Sequence, residues 1–277
     1  AAMVPNGYGS SSGRGALFLL FVDGPSASGA WSRVTATNAG GNYVKLMASD
    51  TETGTGFMGA TWVDLDNNTT ADIVYATDLK GRVWKFDIRS SDPAQWKSAF
   101  LGTGDVPVPF FSAVDSAGTA LPITTSPVVT FPNFGGALVS FGTGRAIEAG
   151  DFPRSTTTYR FFTVWDKGRY VGDQVTPAPE SATPNPLPGT GTRTLDSTAF
   201  LQRLLVRDPS TGLIYLAKRV GTSLVPVPAI EAATSFNPST HDGWFFDFPT
   251  GGESVISAPV NRQSFILFTS EIGRASW

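Results

Sequence analysis

The sequence contains no cysteine and only one histidine, His241. Without cysteine there can be no disulfide and no thiolate zinc site, so cysteine usage does not indicate a redox compartment. With one histidine and no G-x-S-x-G motif, no Ser/His/Asp triad can be assembled. We therefore interpret His241, which precedes an Asp-Gly pair, as a loop residue, and we predict that the chain is not an enzyme.

Charged residues and long hydrophobic runs are also scarce. Only 16% of the 277 residues are charged, the formal net charge is −3, and no cluster of lysine and arginine occurs. This composition disfavours binding to nucleic acid or to an anionic membrane surface. The longest apolar run, Ala16 to Val22, is far shorter than the roughly 20 residues that a membrane helix needs, so no membrane span is predicted.

Glycine, proline and aromatic residues are abundant instead. The chain has 30 glycines, 20 prolines, 20 phenylalanines and 7 tryptophans. This composition is typical of many short strands joined by tight turns, rather than of helices rich in alanine, glutamate and lysine. We expect an all-β fold with almost no long helix, in which residues 1–277 form a single β domain or the C-terminal portion of one.

The clearest strand pattern lies in residues 60–88, where three runs rich in valine, isoleucine, tyrosine, tryptophan and phenylalanine are separated by two turns. This pattern predicts an antiparallel meander. In the last run, alternation places Trp84 and Phe86 on one face and Lys85 on the other. We expect the aromatic face to pack on a neighbouring sheet.

Similar strand–turn–strand units occur at residues 123–166 and again from residue 256. Three further strand candidates could form one more irregular blade: Leu201–Val206, Leu213–Lys218 and Trp244–Phe248. A meander that cannot bury both faces alone needs stacked neighbours, and a β-propeller supplies them. We therefore predict a modified β-propeller of partial or large irregular blades, either a fragment of a larger propeller or one closed by strands from both termini.

Residues 176–192 carry five prolines. Proline lacks the backbone N–H that a central strand must donate, so this stretch cannot pair inside a sheet. We predict a surface loop or a disordered insertion there.

The loop between the first two strand runs of residues 60–88 contains a regular polar pattern. Oxygen-bearing side chains occupy every second position: Asp64, Asp66, Asn68, Thr70 and Asp72. Calcium prefers six to eight oxygen ligands, and a loop whose alternate residues face inward can supply them. The pattern therefore predicts a Ca²⁺ site, to which Thr70 would contribute its main-chain carbonyl.

This loop departs from an EF-hand. Thr69 stands where an EF-hand has its invariant glycine, and Tyr75 stands where it has a bidentate glutamate. The flanking strands indicate a strand–loop–strand site, and the loss of glycine at position 69 indicates modest affinity, in the range of about 10⁻⁴–10⁻³ M known for extracellular modules. The alternative is a polar hairpin that is rich in aspartate and asparagine only because these residues favour turns.

Residues 60–88 resemble the calcium-loop blade of the PilY/PilC proteins of type IV pili, in which a D-x-D loop leads into a strand pair ending in W-x-F-D. Further segments match in the same order along the chain: Gly135–Gly144 and Phe161–Asp166 resemble the next blade, and Asp242–Asp247 resembles the last part. The resemblance implies a C-terminal modified seven-bladed propeller, of which this chain would be about the second half. It also transfers the calcium role to the five loop residues.

The same resemblance implies an exported protein that is exposed on the cell surface at the pilus tip. Such proteins act with the minor pilins of the tip complex to prime pilus assembly, oppose retraction in a calcium-dependent way, and adhere to host cells or abiotic surfaces. No Arg-Gly-Asp triplet occurs in this chain, so integrin binding of that type is not implied.

The sequence leaves two other functions open. The ion could simply lock one blade of a structural scaffold that has no calcium-dependent partner. Alternatively, propellers with tryptophan-containing repeats build quinone-dependent dehydrogenases, and residues 76–84 loosely resemble such a repeat. That family often carries a vicinal disulfide, which is impossible in a chain without cysteine.

Overall fold

The fold is described from a computed structural model, which covers residues 1–49, 52–102, 104, 106–151, 156–167, 199–226, 236–263 and 265–272. Within these ranges the chain forms eighteen strands in five sheets, and its helical elements are short 3₁₀ turns such as Pro93–Gln95 and Ala149–Asp151. The predicted all-β class is confirmed. The strands belong to two compact units, one formed by Ala1–Ser112 and the other by Ala113–Lys167 with the described residues from 199 onward.

The first unit contains two sheets. The smaller sheet has the order β1-β2-β3, with β1 at Ala2–Pro5, β2 at Ala16–Leu20 and β3 at Tyr43–Met47. The larger sheet has the order β4-β5-β6-β7, with β8 also paired to β6. Its strands are β4 (Phe57–Val63), β5 (Ile73–Asp78), β6 (Arg82–Asp87), β7 (Lys97–Ser98) and β8 (Phe111–Ser112).

The predicted meander is therefore present, and β4, β5 and β6 pair antiparallel in sequence order. One of its faces packs on the smaller sheet, as expected. There Trp84 and Phe86 join Leu17 and Leu19 in a buried core. The Phe57 ring stands edge-on to Phe86, with ring centroids 5.9 Å apart.

The opposite face of the meander is buried as well, which the alternation pattern did not indicate. Lys85 is fully buried, and its ammonium lies 5.6 Å from the centroid of the Phe100 ring. On the same side, the Tyr75 ring packs against Phe110. The reason is that the segment between β7 and β8, two strands that pair with β6 in the sheet, places Phe100 and Phe110 on this face.

The turn between β5 and β6 is fixed by a buried carboxylate. Asp78 is fully buried and accepts hydrogen bonds from Arg82 Nε at 2.8 Å and from the indole N–H of Trp84 at 2.9 Å. Backbone N–H groups of Lys80 and Arg82 also donate to it, and Gly81 supplies the left-handed backbone (φ 76°) that the turn requires. The predicted second turn of the meander is thus confirmed.

The second unit is built on a five-stranded sheet with the order β12-β16-β11-β10-β9. Its strands are β9 (Val128–Thr130), β10 (Ala137–Gly142), β11 (Arg160–Asp166), β12 (Phe200–Arg203) and β16 (Gly243–Asp247). The strand containing Trp244 lies beside β11 in this sheet rather than in a separate irregular blade, because its aromatic rings stack on those of β11, as Phe246 does on Phe161 at 5.6 Å. The pairing of β12 with β16 is parallel.

Two smaller sheets complete the described part of the second unit. One contains β13 (Leu205–Arg207), β14 (Ile214–Val220) and β15 (Ser223–Pro226), and the other is the hairpin of β17 (Val260–Arg262) and β18 (Phe265–Leu267). The unit expected from residue 256 is therefore a two-stranded hairpin. The proline-rich stretch 176–192 lies outside the described residues, so its assignment as a loop stays a prediction.

The Asp78 network generates a prediction about stability. We expect Asp78→Ala to lower the free energy of unfolding by about 3 kcal/mol, because it leaves the Arg82 cation and the Trp84 indole N–H without their buried acceptor. The matched control is Lys80→Ala in the same turn, which removes an ion pair to Glu52 whose side chains are 40% and 38% exposed. That variant should change stability by no more than about 1 kcal/mol. Urea unfolding followed by tryptophan fluorescence measures both, and equal losses would contradict the assignment.

Candidate metal centre

The candidate centre is the loop of residues 64–72, which connects the end of β4 to the start of β5. The loop closes where the Asp72 N–H donates to the Val63 carbonyl at 2.8 Å, and the Asp72 carbonyl accepts the N–H of Ile88 at 2.9 Å. Both flanking strands are anchored in the core, since Val63 and Ile73 are buried. The polar loop is therefore held at both ends by buried strands.

Three of the five predicted ligands come together in the structure. Asp64, Asp66 and Asp72 each offer one carboxylate oxygen, and these oxygens lie within 4.8 Å of one another. Asp72 is only 5% exposed, whereas Asp64 and Asp66 are half-buried. No ion pair to these three carboxylates occurs among the described residues, and the nearby cation Arg89 is bound to Asp87.

The other two predicted ligands, Asn68 and Thr70, lie on the exposed side of the loop. The Asn68 amide N–H donates to Asp66 Oδ2 at 2.8 Å, and the Thr70 hydroxyl donates to the Asn68 side-chain oxygen. Asn68 therefore contacts the acidic cluster directly, and Thr70 contacts it only through Asn68. To act as a ligand, Asn68 would turn its oxygen toward the carboxylates, and Thr70 would use its main-chain carbonyl.

Backbone N–H groups hold the carboxylates in position. Asp64 accepts from the Thr69 N–H at 2.8 Å, Asp66 from the Asn68 N–H at 3.0 Å, and Asp72 from the Leu65 N–H at 2.7 Å. Each carboxylate is therefore fixed by its own loop, and the three negative charges repel one another. A bound cation would relieve that repulsion.

The electrostatics of Asp72 reflect this crowding. Burial raises the pKa of the Asp72 carboxyl above its ordinary value, and the negative charges of Asp66 and Asp64 raise it further. The Leu65 N–H and the Arg89 charge act in the opposite direction but do not reverse the shift. Because the site disfavours the ionised form of Asp72, a bound divalent ion would stabilise that form.

Thr69 adopts a strained backbone conformation in this loop. Its φ is 72°, and that of Asn67 is 57°. Asparagine tolerates the left-handed region, but a β-branched residue there is an outlier, and such strain costs of order 1–3 kcal/mol. Glycine is therefore expected at this position because it adopts the left-handed conformation without strain, whereas threonine strains the loop backbone.

The loop also forms one wall of an open cleft of about 920 Å³. The rest of the cleft includes Trp62, which is 48% exposed, together with Trp96, Leu19 and Ile88. These residues were not predicted as part of the site. The sequence does contain a signal for Trp62. A tryptophan at a solvent-facing strand position two residues before a polar loop is unusual, because tryptophan is usually buried.

His241 and two other local sequence patterns have structural roles: the acidic pair Glu148 and Asp151, and the segment 141–145, which is similar to a nucleotide-binding loop in composition only. His241 accepts a hydrogen bond from the Asn237 backbone N–H at 3.0 Å within a turn, as expected for a loop residue. Asp151 caps the backbone N–H groups of Ile147 and Glu148, so the acidic pair at 148 and 151 is a turn. A Cβ at Gly144 would lie 2.1 Å from Ser254, which accounts for that glycine by close packing rather than by nucleotide binding.

In the part of the chain that the structure describes, none of the helical elements has the length and apolarity needed to cross a membrane.

The antiparallel meanders and the acidic strand–loop–strand site together define a propeller-type β protein with a candidate cation loop. The family model of the PilY1 β-propeller domain matches residues 1–187, and the chain belongs to this family. The PilY/PilC resemblance and the predicted modified β-propeller are thereby confirmed.

Individual relatives agree with this assignment. The type IV pilus biogenesis factor PilY1 homolog of Xylella fastidiosa is 32% identical over 183 residues, which cover 62% of this chain and 11% of that protein. The type IV pilus biogenesis factor PilY1 of Pseudomonas aeruginosa is 37% identical over 127 residues, covering 39% of this chain and 11% of that protein. The chain thus spans only about a tenth of the length of these relatives.

A solved structure shows the same fold. The crystal structure of the Pseudomonas aeruginosa PilY1 C-terminal domain matches this chain with a TM-score of 0.65 and 22% sequence identity. The match covers 97% of this chain and 52% of that chain. At this identity the likeness shows the fold and not the activity.

The strain at Thr69 generates a prediction about the metal-free protein. We expect Thr69→Gly to raise the free energy of unfolding by about 1 kcal/mol, because release of the left-handed strain exceeds the entropy that glycine adds to the unfolded chain. The control is Thr70→Gly, since Thr70 has no positive φ, and it should lower stability. Thermal unfolding in excess chelator measures both. A lower free energy of unfolding for Thr69→Gly than for the wild type would argue against backbone strain at Thr69.

Proposed function

We propose that this chain is the calcium-binding propeller portion of a type IV pilus protein that supports pilus assembly, opposes retraction and mediates adhesion. The observation that carries the calcium part is the cluster of Asp64, Asp66 and Asp72, whose oxygens lie within 4.8 Å of one another on one strand–loop–strand segment. The pilus part is supported by membership in the PilY1 propeller family and by relatives that are named as pilus biogenesis factors.

The donor set favours calcium over other ions. The loop offers only oxygen, and hard oxygen ligands suit Ca²⁺ and Mg²⁺ rather than Zn²⁺ or Cu²⁺. Mg²⁺ requires near-ideal octahedral geometry and keeps several waters, whereas Ca²⁺ accepts irregular sites with six to eight ligands. In the proposed site the three carboxylates, the Asn68 side-chain oxygen and the Thr70 carbonyl bind the ion, and water completes its coordination.

Calcium would act on the fold by joining the ends of two core strands. Asp64 directly follows β4 and Asp72 directly precedes β5, so one ion bound by both carboxylates links the two strand ends. An ion that binds only the folded loop stabilises it by mass action, by about 2.7 kcal/mol when its concentration is 100 times the dissociation constant. A stiffened blade that resists unfolding under load is one way in which calcium could oppose retraction.

The proposed location is the cell surface at the pilus tip, after export through the bacterial envelope. The proposed partners are the minor pilins of the tip complex, and host-cell or abiotic surfaces. In this proposal the chain binds and stiffens, and it catalyses no reaction. Because the chain covers 11% of the named relatives, these whole-protein roles are assigned to it by family membership and by the calcium loop.

A structural scaffold is the second candidate function. It is favoured by the anchoring of the loop at both ends, because an ion at this position could simply stabilise the meander. The two candidates differ in their consequences, since only the first links calcium occupancy to pilus behaviour.

The calcium site makes a direct prediction for the purified chain. We expect calorimetric titration to detect one Ca²⁺ site, and Asp64→Asn with Asp66→Asn to weaken it at least about tenfold, because both replace a charged ligand by a neutral one of similar shape. The control is Asp208→Asn, which alters a turn carboxylate outside the loop that accepts the Ser210 N–H. No binding at millimolar calcium, or equal weakening in the control, would contradict the site.

A second prediction concerns pilus behaviour. The full-length protein with Asp64→Asn and Asp66→Asn should support fewer surface pili or faster retraction than wild type, at unchanged protein abundance. Pilus counts by electron microscopy and retraction rates by optical trapping measure this effect. If calcium binding is lost while both quantities stay at wild-type values, the scaffold function is correct and the regulatory one is wrong.

A further inference from the structure

The second unit contains an open polar cavity of about 680 Å³, remote in sequence from the acidic loop. It lies at one end of the five-stranded sheet, where β11 begins and β16 ends, with β12 alongside. Its size falls within the range of about 300–1,000 Å³ that is typical of small-ligand pockets. Nothing in the calcium proposal uses this cavity.

A buried arginine is the centre of the cavity. The Arg160 side chain is only 6% exposed and its Nε donates to Asp247 Oδ1 at 2.5 Å. Its Nη1 donates to the Val114 carbonyl at 2.7 Å, and its guanidinium lies 5.1 Å from the centroid of the Phe245 ring. The arginine is therefore held by contacts with two segments, one at Val114 and one in β16, that are both distant from it in sequence.

The arginine in turn orients a carboxylate. Asp247 accepts from Arg160 through Oδ1 and from Gln202 Nε2 through Oδ2, at 3.0 Å, while its side chain remains 33% exposed. Both carboxylate oxygens retain further lone pairs for a ligand. A polar group that is fixed by its neighbours before any ligand arrives is the arrangement that recognition sites use.

The charges of the lining exclude anionic ligands. Arg160 is the one cation among the described lining residues, and Asp247 and Asp115 oppose it, so the sum is negative. Hydrogen bonding, chiefly from the Thr119 backbone N–H, lowers the pKa of the Asp115 carboxyl, so this group is ionised at neutral pH. A phosphate, sulfate or carboxylate ligand would meet two carboxylates and a guanidinium whose Nε and Nη1 already donate to protein acceptors.

The residue types of the lining disfavour aromatic and apolar ligands. Phe245 is the one aromatic residue among the described lining residues, and it is only 5% exposed beneath the guanidinium, so it offers no stacking face. The remaining wall carries hydroxyl groups, from Ser116 and from the three threonines 156–158. Hydroxyls both donate and accept hydrogen bonds, and they suit a ligand that does the same.

We propose that this cavity binds a neutral oligosaccharide. The ligand hydroxyls would donate to Asp247 and Asp115, and would exchange hydrogen bonds with Ser116, the Thr156–Thr158 hydroxyls and the Gln202 amide. Such a site would give the propeller a ligand-binding function that is independent of calcium. A peptide is disfavoured, because the lining presents side-chain groups rather than an open strand edge for main-chain pairing.

The test is binding of defined sugars to the full chain. Maltotriose, cellotriose, chitotriose and lactose are titrated at concentrations up to about 10 mM, a limit that detects dissociation constants in the millimolar range. Saturation-transfer NMR and calorimetry report binding, with 3′-sialyllactose as the anionic comparison. We expect at least one neutral sugar to bind and sialyllactose to bind at least about tenfold more weakly than lactose if lactose is a ligand. Failure of all four neutral sugars to bind would overturn the proposal.

Two variants assign any binding to the cavity. Ser116→Trp, at an exposed turn position, should block the cavity, and Gln202→Ala should weaken binding about tenfold by removing a hydrogen-bonding amide. Gln95→Ala, on an exposed 3₁₀ turn of the first unit, is the control, and thermal unfolding verifies that all variants fold. Sugar binding that survives Ser116→Trp overturns the proposal. Binding should persist in chelator and in Asp64→Asn, so its outcome is separate from that of the calcium site.

Discussion

The structure of the first unit depends on the burial of β5 on both faces. All six residues of Ile73–Asp78 are buried, and both neighbouring strands pair with β5 along most of its length. One face packs with Trp84 and Phe86 in the core, and the other faces Phe110. Because a shift in the register of this strand would disrupt the packing on both faces, the residue that precedes it, Asp72, is fixed as well. The candidate metal loop is therefore positioned by hydrophobic packing.

Unlike the surrounding meander, the loop combines two locally unfavourable features. It places three carboxylates within 4.8 Å of one another, and it holds Thr69 in the left-handed region. Each feature is unfavourable alone, and local conflicts of this kind are expected at functional sites rather than in a scaffold. A divalent ion would offset the charge repulsion but not the strain at Thr69. Repulsion among the carboxylates therefore favours cation binding, whereas strain at Thr69 limits the stability of the loop that would bind the cation.

Local patterns predicted the meander and the acidic loop, because both depend on residues near one another in sequence. Alternation identified the strand of Trp84 and Phe86, and the every-second-residue spacing identified the three clustered carboxylates. The burial of Lys85 was missed, because the residues that cover it lie beyond β6, and alternation within one strand carries no information about them. The same holds for Arg160 and Asp247, whose pairing joins residues 87 positions apart. Cross-strand partners of this kind follow from sheet order, which a single sequence does not encode locally.

Charge compensation separates the two candidate sites chemically. In the cavity of the second unit, Asp247 already has a cationic partner in Arg160, so its remaining lone pairs can accept hydroxyl groups without an ion. In the loop of the first unit, Asp72 is buried beside two further carboxylates, and the nearest arginine, Arg89, is bound to Asp87. In the two proposals, the same residue type at a strand end thus serves two chemistries. A carboxylate whose charge the protein does not balance favours a cation, whereas one whose charge is balanced can accept hydrogen bonds from a neutral ligand.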